Sequence, residues 1–455
     1  MQQVEIVDFP YRSDAELLFS AIRHMPDAIW LDSGKPRSLY GRFDIISAHP
    51  EQILETVGNT TRIVTANSTS ISTDDPFLLC EELFSSLGKL GERYNHYPFV
   101  GGLAGYFGYD LGYSTTDKTN HLPKFDNLPD MRVGNYGWAL VLNHSAQKAW
   151  LFFRKSCPPS LRKEVLHCLK QASKTNSDKE KSMGRAFVAS IGKNDYLDAI
   201  SKIKNYILAG DCYQVNFAQH FSTTFDGDNW SLYQQLRRIL PSPYSCFYQW
   251  GDKNQAILSL SPERFLKLSM GQVEAKPIKG TIRRGKTVEE DQQNAIELMN
   301  SQKNRAENLM IVDLLRNDLG KTCNPGSIRV PKLFALESFP NVHHLVSTVT
   351  GTLRDNESAL SLLRGCFPGG SITGAPKKRA MEIIEELEVC RRSVYCGSIG
   401  YISATGRMDT NIAIRTLIAD GKNLHCWGGG GIVSDSNATD EYQETLDKIR
   451  ALIEA

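Results

Sequence analysis

Between Gly397 and Val433 three runs of alternating apolar residues, Gly397–Ser403, Thr410–Ile418 and Leu424–Val433, follow one another with only short gaps. Neighbouring parallel strands need a crossover of a dozen or more residues, so runs this close pair antiparallel. Asp420-Gly421, between the second and third, is a dipeptide suited to the positive φ of a two-residue hairpin. The pattern recurs upstream. Trp138–Leu142 continues through His144-Ser145-Ala146 to Ala149–Phe153, which predicts another hairpin. Ala256–Leu266 and Val273–Ile282 read as strands around a turn at Gly271, and Ala28–Leu31, Phe43–Ala48 and Thr61–Thr65 make the N-terminal part strand-rich.

Long helices are set among these hairpins. Asn194 is positioned to cap a helix in which Leu197, Ile200, Ile203 and Ile207 share a face, with Gly210 ending it. Gln292–Leu319 reads as one long helix. Pro376 sits near the first turn of another that carries Ala380, Ile383, Ile384 and Leu387, and Asp440–Ile453 reads as a closing helix. Consecutive hairpins mixed with helices indicate an antiparallel α+β architecture and argue against a Rossmann alternation. Lys170–Gly184 is polar and nearly devoid of large apolar groups. It divides the chain into a strand-rich region 1–170, a linker or exposed loop 171–187, and a region 188–455. No internal repeat has a fixed period.

Composition removes several classes of function. With 52 Lys+Arg against 51 Asp+Glu in 455 residues, the formal charge is +1, which argues against a nucleic-acid binder held by phosphate contacts. No run of about 18 apolar residues predicts a membrane span. Met1-Gln2-Gln3-Val4-Glu5 lacks the basic-then-apolar order of a secretory signal, and ten scattered cysteines without a C-x-x-C fit reduced thiols in a cytoplasmic protein.

Several residues stand out chemically. Glu307 shares a helical sector with Ile296, Met310, Ile311 and Leu314, where a carboxylate needs an Arg partner, a proton or a metal. With Glu444 it would supply the hard oxygen ligands Mg²⁺ prefers, while a salt bridge to Arg305 or Arg415 is the plain alternative. On the final helix Tyr442, Leu446, Ile449 and Ile453 form an apolar stripe, with Glu441 and Glu444 on another face. Lys279, in Lys276-Pro277-Ile278-Lys279-Gly280-Thr281, is either a surface residue or a nucleophile whose pKa must fall through burial or nearby cations. Gly428–Gly431 ends a strand before a helix, so its N–H groups could hold an anion. Gly369–Gly374 is not a Walker motif because Ala375-Pro376 precedes Lys377, Gly101–Gly112 reads as a tightly packed hairpin, and Gly365-Cys366-Phe367 is not a glutaminase elbow. His343-His344 is no zinc motif; one of the pair is a hydrogen-bonding group or a core histidine.

Eleven ordered segments, Cys212–Asn216, Leu260–Arg264, Pro277–Thr281, Arg305–Asn308, Val312–Asp318, His343–Ser347, Phe367–Ser371, Gly374–Lys377, Ile414–Thr416, Gly429–Val433 and Tyr442–Thr445, together resemble the chorismate-utilising enzymes over nearly the whole chain. The resemblance implies large antiparallel sheets packed as a sandwich with helices outside, an N-terminal region like that of anthranilate synthases over 1–170, and a chorismate-binding catalytic domain over 188–455. It implies Mg²⁺ held by Glu307 and Glu444, with Glu441 near them and Asn304 standing where relatives often have an acid. Arg415, the backbone of Gly429, Gly430 and Gly431, and Gly280-Thr281 match positions that hold the substrate's carboxylates. His344 matches a histidine close to the ring, and Glu263 the general acid–base. Lys279 discriminates within the family: the aminodeoxychorismate synthases carry this lysine, while anthranilate and isochorismate synthases usually carry Ala. Gln214 agrees, since isochorismate synthases tend to have a lysine there. The implied reaction is amination of chorismate at C4 through a Lys279 adduct at C2, on the route to para-aminobenzoate and folate. The ammonia would come from a separate glutamine amidotransferase. Asp32-Ser33-Gly34 and Pro241-Ser242-Pro243-Tyr244 resemble a tryptophan pocket of relatives, to which Ser33 and Tyr244 would contribute. The alternatives are an anthranilate-forming enzyme and a non-catalytic tryptophan-sensing subunit.

Overall fold

A computed structural model describes residues 3–114, 120–172, 186–251, 254–339 and 342–454. Two antiparallel sheets, each with twelve strands among the described residues, pack on a shared core. In the first sheet Ala28–Asp32 lies between Phe43–Ser47 and Tyr244–Trp250. The order continues through Gln255–Ser261, Thr416–Asp420 and Asn423–Ile432 to Gln214–Thr224. In the second, Gly102–Phe107 joins Met131–Tyr136 to Ser398–Ser403. That sheet then runs through Met408–Asn411, Arg264–Ser269 and Gln272–Ala275 to Val342–Thr352.

The period of two decides the layers. Ile29 and Ile45 point into the core between the sheets, while Trp30 and Ile46 point to the outer face. There they are covered by the helices Glu16–Ile22, Pro159–Lys170 and Asn229–Ile239. Truncating a fully buried side chain such as Trp30 to Ala costs about 3–5 kcal/mol. A third cluster packs Ile200 and Ile203 with Ile383 and Ile384 against Val215 and Phe217.

The sandwich, the two hairpins and the closing helix are as the sequence predicts, with four corrections. Helix Lys193–Leu208 starts after Gly192, so Asn194 lies inside its first turn. The long helix is two, Val288–Asn300 and Gln302–Gly320. Ser301 breaks it with an extended backbone and caps the second, its hydroxyl accepting from Asn304 N at 3.3 Å. Gly102–Phe107 is a single strand between two partners, not a hairpin; a Cβ on Gly105 would lie 2.1 Å from the Arg132 carbonyl oxygen. Two runs divide between the sheets: Thr410–Ile418, with Met408–Asn411 in the second and Thr416–Asp420 in the first, and Ala256–Leu266, with Gln255–Ser261 in the first and Arg264–Ser269 in the second. The expected division at 171–187 is one of sequence, since both sheets draw strands from either side of it. Most of that segment, 173–185, lies outside the described residues.

Candidate active site

The chain passes between the sheets twice at one place. Gln255–Ser261 belongs to the first sheet and Arg264–Ser269 to the second, with Glu263 between them; Ile412–Arg415 makes the return passage. The passages are tied together, Ile412 N donating to Glu263 O at 3.0 Å and the Ser261 hydroxyl to Ile412 O at 2.6 Å. Glu263 is buried and its carboxylate accepts from the Ser371 hydroxyl at 3.0 Å. Burial pushes its pKa up to about 7, against the Ser371 bond and the nearby Lys279.

Lys279 lies where strand Ile278–Arg283 changes register against Val342–Thr352. Gly280 takes φ +83° there, and a Cβ on it would sit 2.9 Å from Asn304 Cγ. Such a bulge re-aims the side chain beside it. The Lys279 amine has no hydrogen-bond or ion-pair partner among the described residues. Burial holds its pKa below the usual lysine range, opposed by Glu307, assisted by Lys448, and opposed again by Glu263 and Glu444. Asn304, closing on the glycine, is a packing residue here.

Glu307 likewise has no ion pair or hydrogen bond among the described residues. Arg305 instead stacks over Phe334 at 4.8 Å, so the expected alternative salt bridge to it is not formed. Burial raises the Glu307 pKa against the pull of Lys279 and Lys303. The C-terminal helix Ala438–Ile453 packs the expected stripe Tyr442, Leu446, Ile449 and Ile453 on the core, but its most buried line is Glu441, Thr445, Ile449 and Leu452. The glycines of strand Asn423–Ile432 allow this. A Cβ on Gly428 would lie 2.6 Å from Thr445 O, and one on Gly430 would lie 3.2 Å from Glu441 Oε2 and 3.8 Å from Glu444 Oε1. Glu441 accepts from the Ser436 hydroxyl at 2.6 Å and faces Lys303 at 3.6 Å. Glu444 pairs with Lys448 at 2.6 Å, and this pairing outweighs partial burial to lower its pKa. Three carboxylates thus meet three amines. No group of three or more His, Cys, Asp or Glu forms a metal cluster among the described residues. Mg²⁺ commonly takes one or two protein carboxylates and completes its octahedron with water and substrate, and an unpartnered Glu307 beside Glu444 fits that requirement.

The opposite end of the site favours anions. Arg415, partly buried at φ +50°, has no ion pair among the described residues, and burial lowers its pKa. His344 Nδ1 lies 2.8 Å from the Thr281 hydroxyl, and burial, then Arg415 and His343, push its pKa down to about 3, so it is neutral. Its neighbour His343 turns the other way, to Asp291 at 3.0 Å and Ser338 at 2.7 Å. Beyond Cys426, strand Asn423–Ile432 is paired only with Gln214–Thr224, so Gly429, Gly430 and Gly431 have one free backbone edge.

Lys279, Glu263, Glu307, Glu444, Gly280, Thr281, His344, Arg415 and the three glycines therefore belong to one site. Four more groups join them, of which the sequence reading singled out Gln214 and missed Lys448, Lys303 and Ser371. Lys448, four residues from Glu444, bridges it to Gly429 O at 3.0 Å; the i,i+4 spacing was the available signal. Lys303 and Ser371 are described above. Gln214 is fully buried with both amide atoms unpaired, 3.0 Å from where a Cβ on Gly431 would be.

Ser33 and Tyr244 lie elsewhere. Tyr244 lines a cavity of about 140 Å³ with Tyr40, Arg42, Phe43, Pro243 and Arg264. Ser33 is buried at its border with an unpaired hydroxyl, its N–H held by Asp44 at 2.7 Å. The adjacent Asp32 is fixed by Arg237 at 2.6 Å and Tyr233 at 2.9 Å.

Comparison with known proteins agrees with this geometry. Residues 27–454 match the family described as chorismate binding enzyme. The chain is 44% identical over 453 residues to aminodeoxychorismate synthase component 1 of Klebsiella aerogenes, covering 98% of each. It is 36% identical to anthranilate synthase component 1 of Pseudomonas aeruginosa, over 96% of this chain and 92% of that one. The crystal structure of anthranilate synthase component I from Streptococcus pneumoniae superposes with a TM-score of 0.79 at 30% identity, covering 91% of this chain and 93% of the other.

Proposed function

The chain belongs to the chorismate binding enzymes, and on that premise we propose that it is the chorismate-aminating component of an aminodeoxychorismate synthase. It replaces the C4 hydroxyl of chorismate with ammonia to give 4-amino-4-deoxychorismate, a precursor of para-aminobenzoate and folate. The observation that carries this reading is the opposed tuning of two neighbours. Lys279 is driven toward the free amine a nucleophile needs, and Glu263, at about 7, toward the proton a general acid needs.

Arg415, the free edge of Gly429–Gly431 and the Gly280-Thr281 backbone bind the two substrate carboxylates, while His344, held by Thr281, lies against the ring. Magnesium held by Glu307 and Glu444 would draw electrons from the ring through a carboxylate and make C2 electrophilic. The Lys279 amine adds at C2, the ring double bond shifts, and Glu263 gives its proton to the departing C4 hydroxyl, which leaves as water. Ammonia then adds at C4, the double bond shifts back, and the C2–N bond breaks to return Lys279. Two successive allylic displacements retain the C4 configuration.

Ammonia is supplied by a glutamine amidotransferase subunit, the second component that the relatives' name implies. The cavity beside Ser33 and Tyr244 takes tryptophan, with the unpaired Ser33 hydroxyl and the surrounding rings as its contacts; mass spectrometry of the denatured protein tests for it. Incubation with chorismate, magnesium and an ammonium salt is expected to give a non-aromatic amino product. Fluorescent anthranilate in its place would assign the chain to the anthranilate-forming branch.

A further inference from the structure

Tyr40 lies on the loop between the strands Ala28–Asp32 and Phe43–Ser47 of the first sheet and is 44% exposed, yet its side chain is engaged at both ends by the second sheet. The hydroxyl donates to Ser338 O at 2.7 Å. Strand Arg329–Ser338 is an edge strand, paired only with Val342–Thr352 among the described residues, so its outward carbonyls need donors from elsewhere. The Tyr40 ring lies 4.4 Å from the ring of Phe339, and Phe339 in turn meets the imidazole of His344 edge-on, at 5.0 Å and 70°. The second contact is a diagonal one across a turn. Phe339 N donates to Val342 O at 2.8 Å, and Val342 and His344 share a face of their strand. Arg284 holds the Phe339 carbonyl at 3.0 Å and is itself fixed by Asp291 at 2.6 Å. The Phe339 backbone is thus anchored by Arg284, and its ring stands between Tyr40 and His344.

We propose that Tyr40 is a positioning residue of the reaction, setting through Phe339 the tilt of His344 against the substrate ring. This rests on the function proposed above. The Thr281 hydroxyl fixes His344 at Nδ1, 2.8 Å away. One hydrogen bond locates an atom of an imidazole but leaves the tilt of its plane open. An edge-on aromatic neighbour supplies the missing constraint, because such pairs have a preferred geometry as well as contact area. Phe339 can do this only while its own ring is held, and Tyr40 closes its outer side. A displacement of about 1 Å in a group beside the reacting atoms can cost about 10²-fold in rate, so a contact this far from the chemistry can still govern it. The link is built into the chain and needs nothing bound in the cavity that Tyr40 also borders.

The test is a double-mutant cycle on the full chain, read as chorismate consumption with magnesium and an ammonium salt, with the product identified separately. Tyr40→Ala is expected to lower kcat at least about fivefold and to change KM by less than about twofold. Tyr40→Phe, which keeps the ring contact, is expected to recover most of the rate. Phe339→Leu, which does not border the cavity, is expected to reproduce the loss. In a His344→Ala background, Tyr40→Ala is expected to cost less than about a further twofold, since the two residues act as one unit. An unchanged kcat in either single variant, Tyr40→Ala or Phe339→Leu, overturns the proposal. So does the full additional loss in the His344→Ala background, because a loop that merely stabilised the fold or shaped the cavity would act independently of His344. Consumption of chorismate to fluorescent anthranilate would instead overturn the function proposed above, and the cycle would remain readable.

Discussion

Glu388 and Glu263 are both buried carboxylates whose pKa burial pushes upward, yet their surroundings differ in kind. Glu388 accepts from Arg392 at 2.6 and 3.0 Å and from Ala218 N at 2.9 Å. Arg392 in turn donates to Ile372 O at 2.8 Å and Asn216 O at 2.6 Å and stacks on Tyr109 at 4.6 Å. Both charged groups at that corner are matched, though the Tyr109 hydroxyl and Asn216 Oδ1 beside them are not. At the site, Glu263 has one hydroxyl and the Ile278 backbone, and the side chains of Glu307, Lys279 and Arg415 have no hydrogen bond or ion pair among the described residues. The direction of a pKa shift does not separate scaffold from chemistry; the count of satisfied bonds does. Unmatched buried charge costs stability, so it persists where something else depends on it.

The largest test of this contrast is Lys279→Ala. Amination should fall by about 10³-fold or more in single-turnover assays, with chorismate binding retained. A rate within tenfold of the original would place the lysine among the scaffold residues. Arg392→Met should do the reverse, lowering stability in urea unfolding by about 3–5 kcal/mol, because it strands Glu388, with little change in turnover per folded molecule. Glu263→Gln should slow amination by about 10²-fold. In the unsubstituted enzyme loss of the Glu263 proton, near 7, should remove the general acid as pH rises, while loss of the Lys279 proton, which burial favours, should raise the rate; the variant should lack the Glu263 limb. The smallest effect is expected of Arg415→Met. The urea midpoint should rise by the equivalent of about 1 kcal/mol, since an unpaired buried cation is removed, while KM for chorismate increases. A loss of stability there would blur the contrast.

The hairpins were legible because a strand with two different faces writes its period into the sequence. Trp138–Asn143 and Lys148–Arg154 pair with one another as that period predicts. Ser301 was harder to see. Helical spacing continues on both sides of it, and only its capping bond to Asn304 N shows that Glu307 belongs to a separate helix. The apolar stripe of the C-terminal helix was legible, but not the burial of Glu441 and Thr445 beside it, because the neighbour is a run of glycines, which lets a carboxylate occupy an inward line. The site residues were grouped by resemblance to a family. What joins Glu263 to Arg415 physically is two passages between sheets, a relation of chain path that no local pattern encodes.

Ala28–Asp32 pairs on one side with Tyr244–Trp250, which a ribosome reaches some two hundred residues later. At about 5–20 residues per second, that edge waits on the order of 10–40 s for its neighbour. During synthesis the early strands offer an open, apolar border to any other nascent chain, so this protein should depend on chaperones that shield exposed strands before its second half emerges.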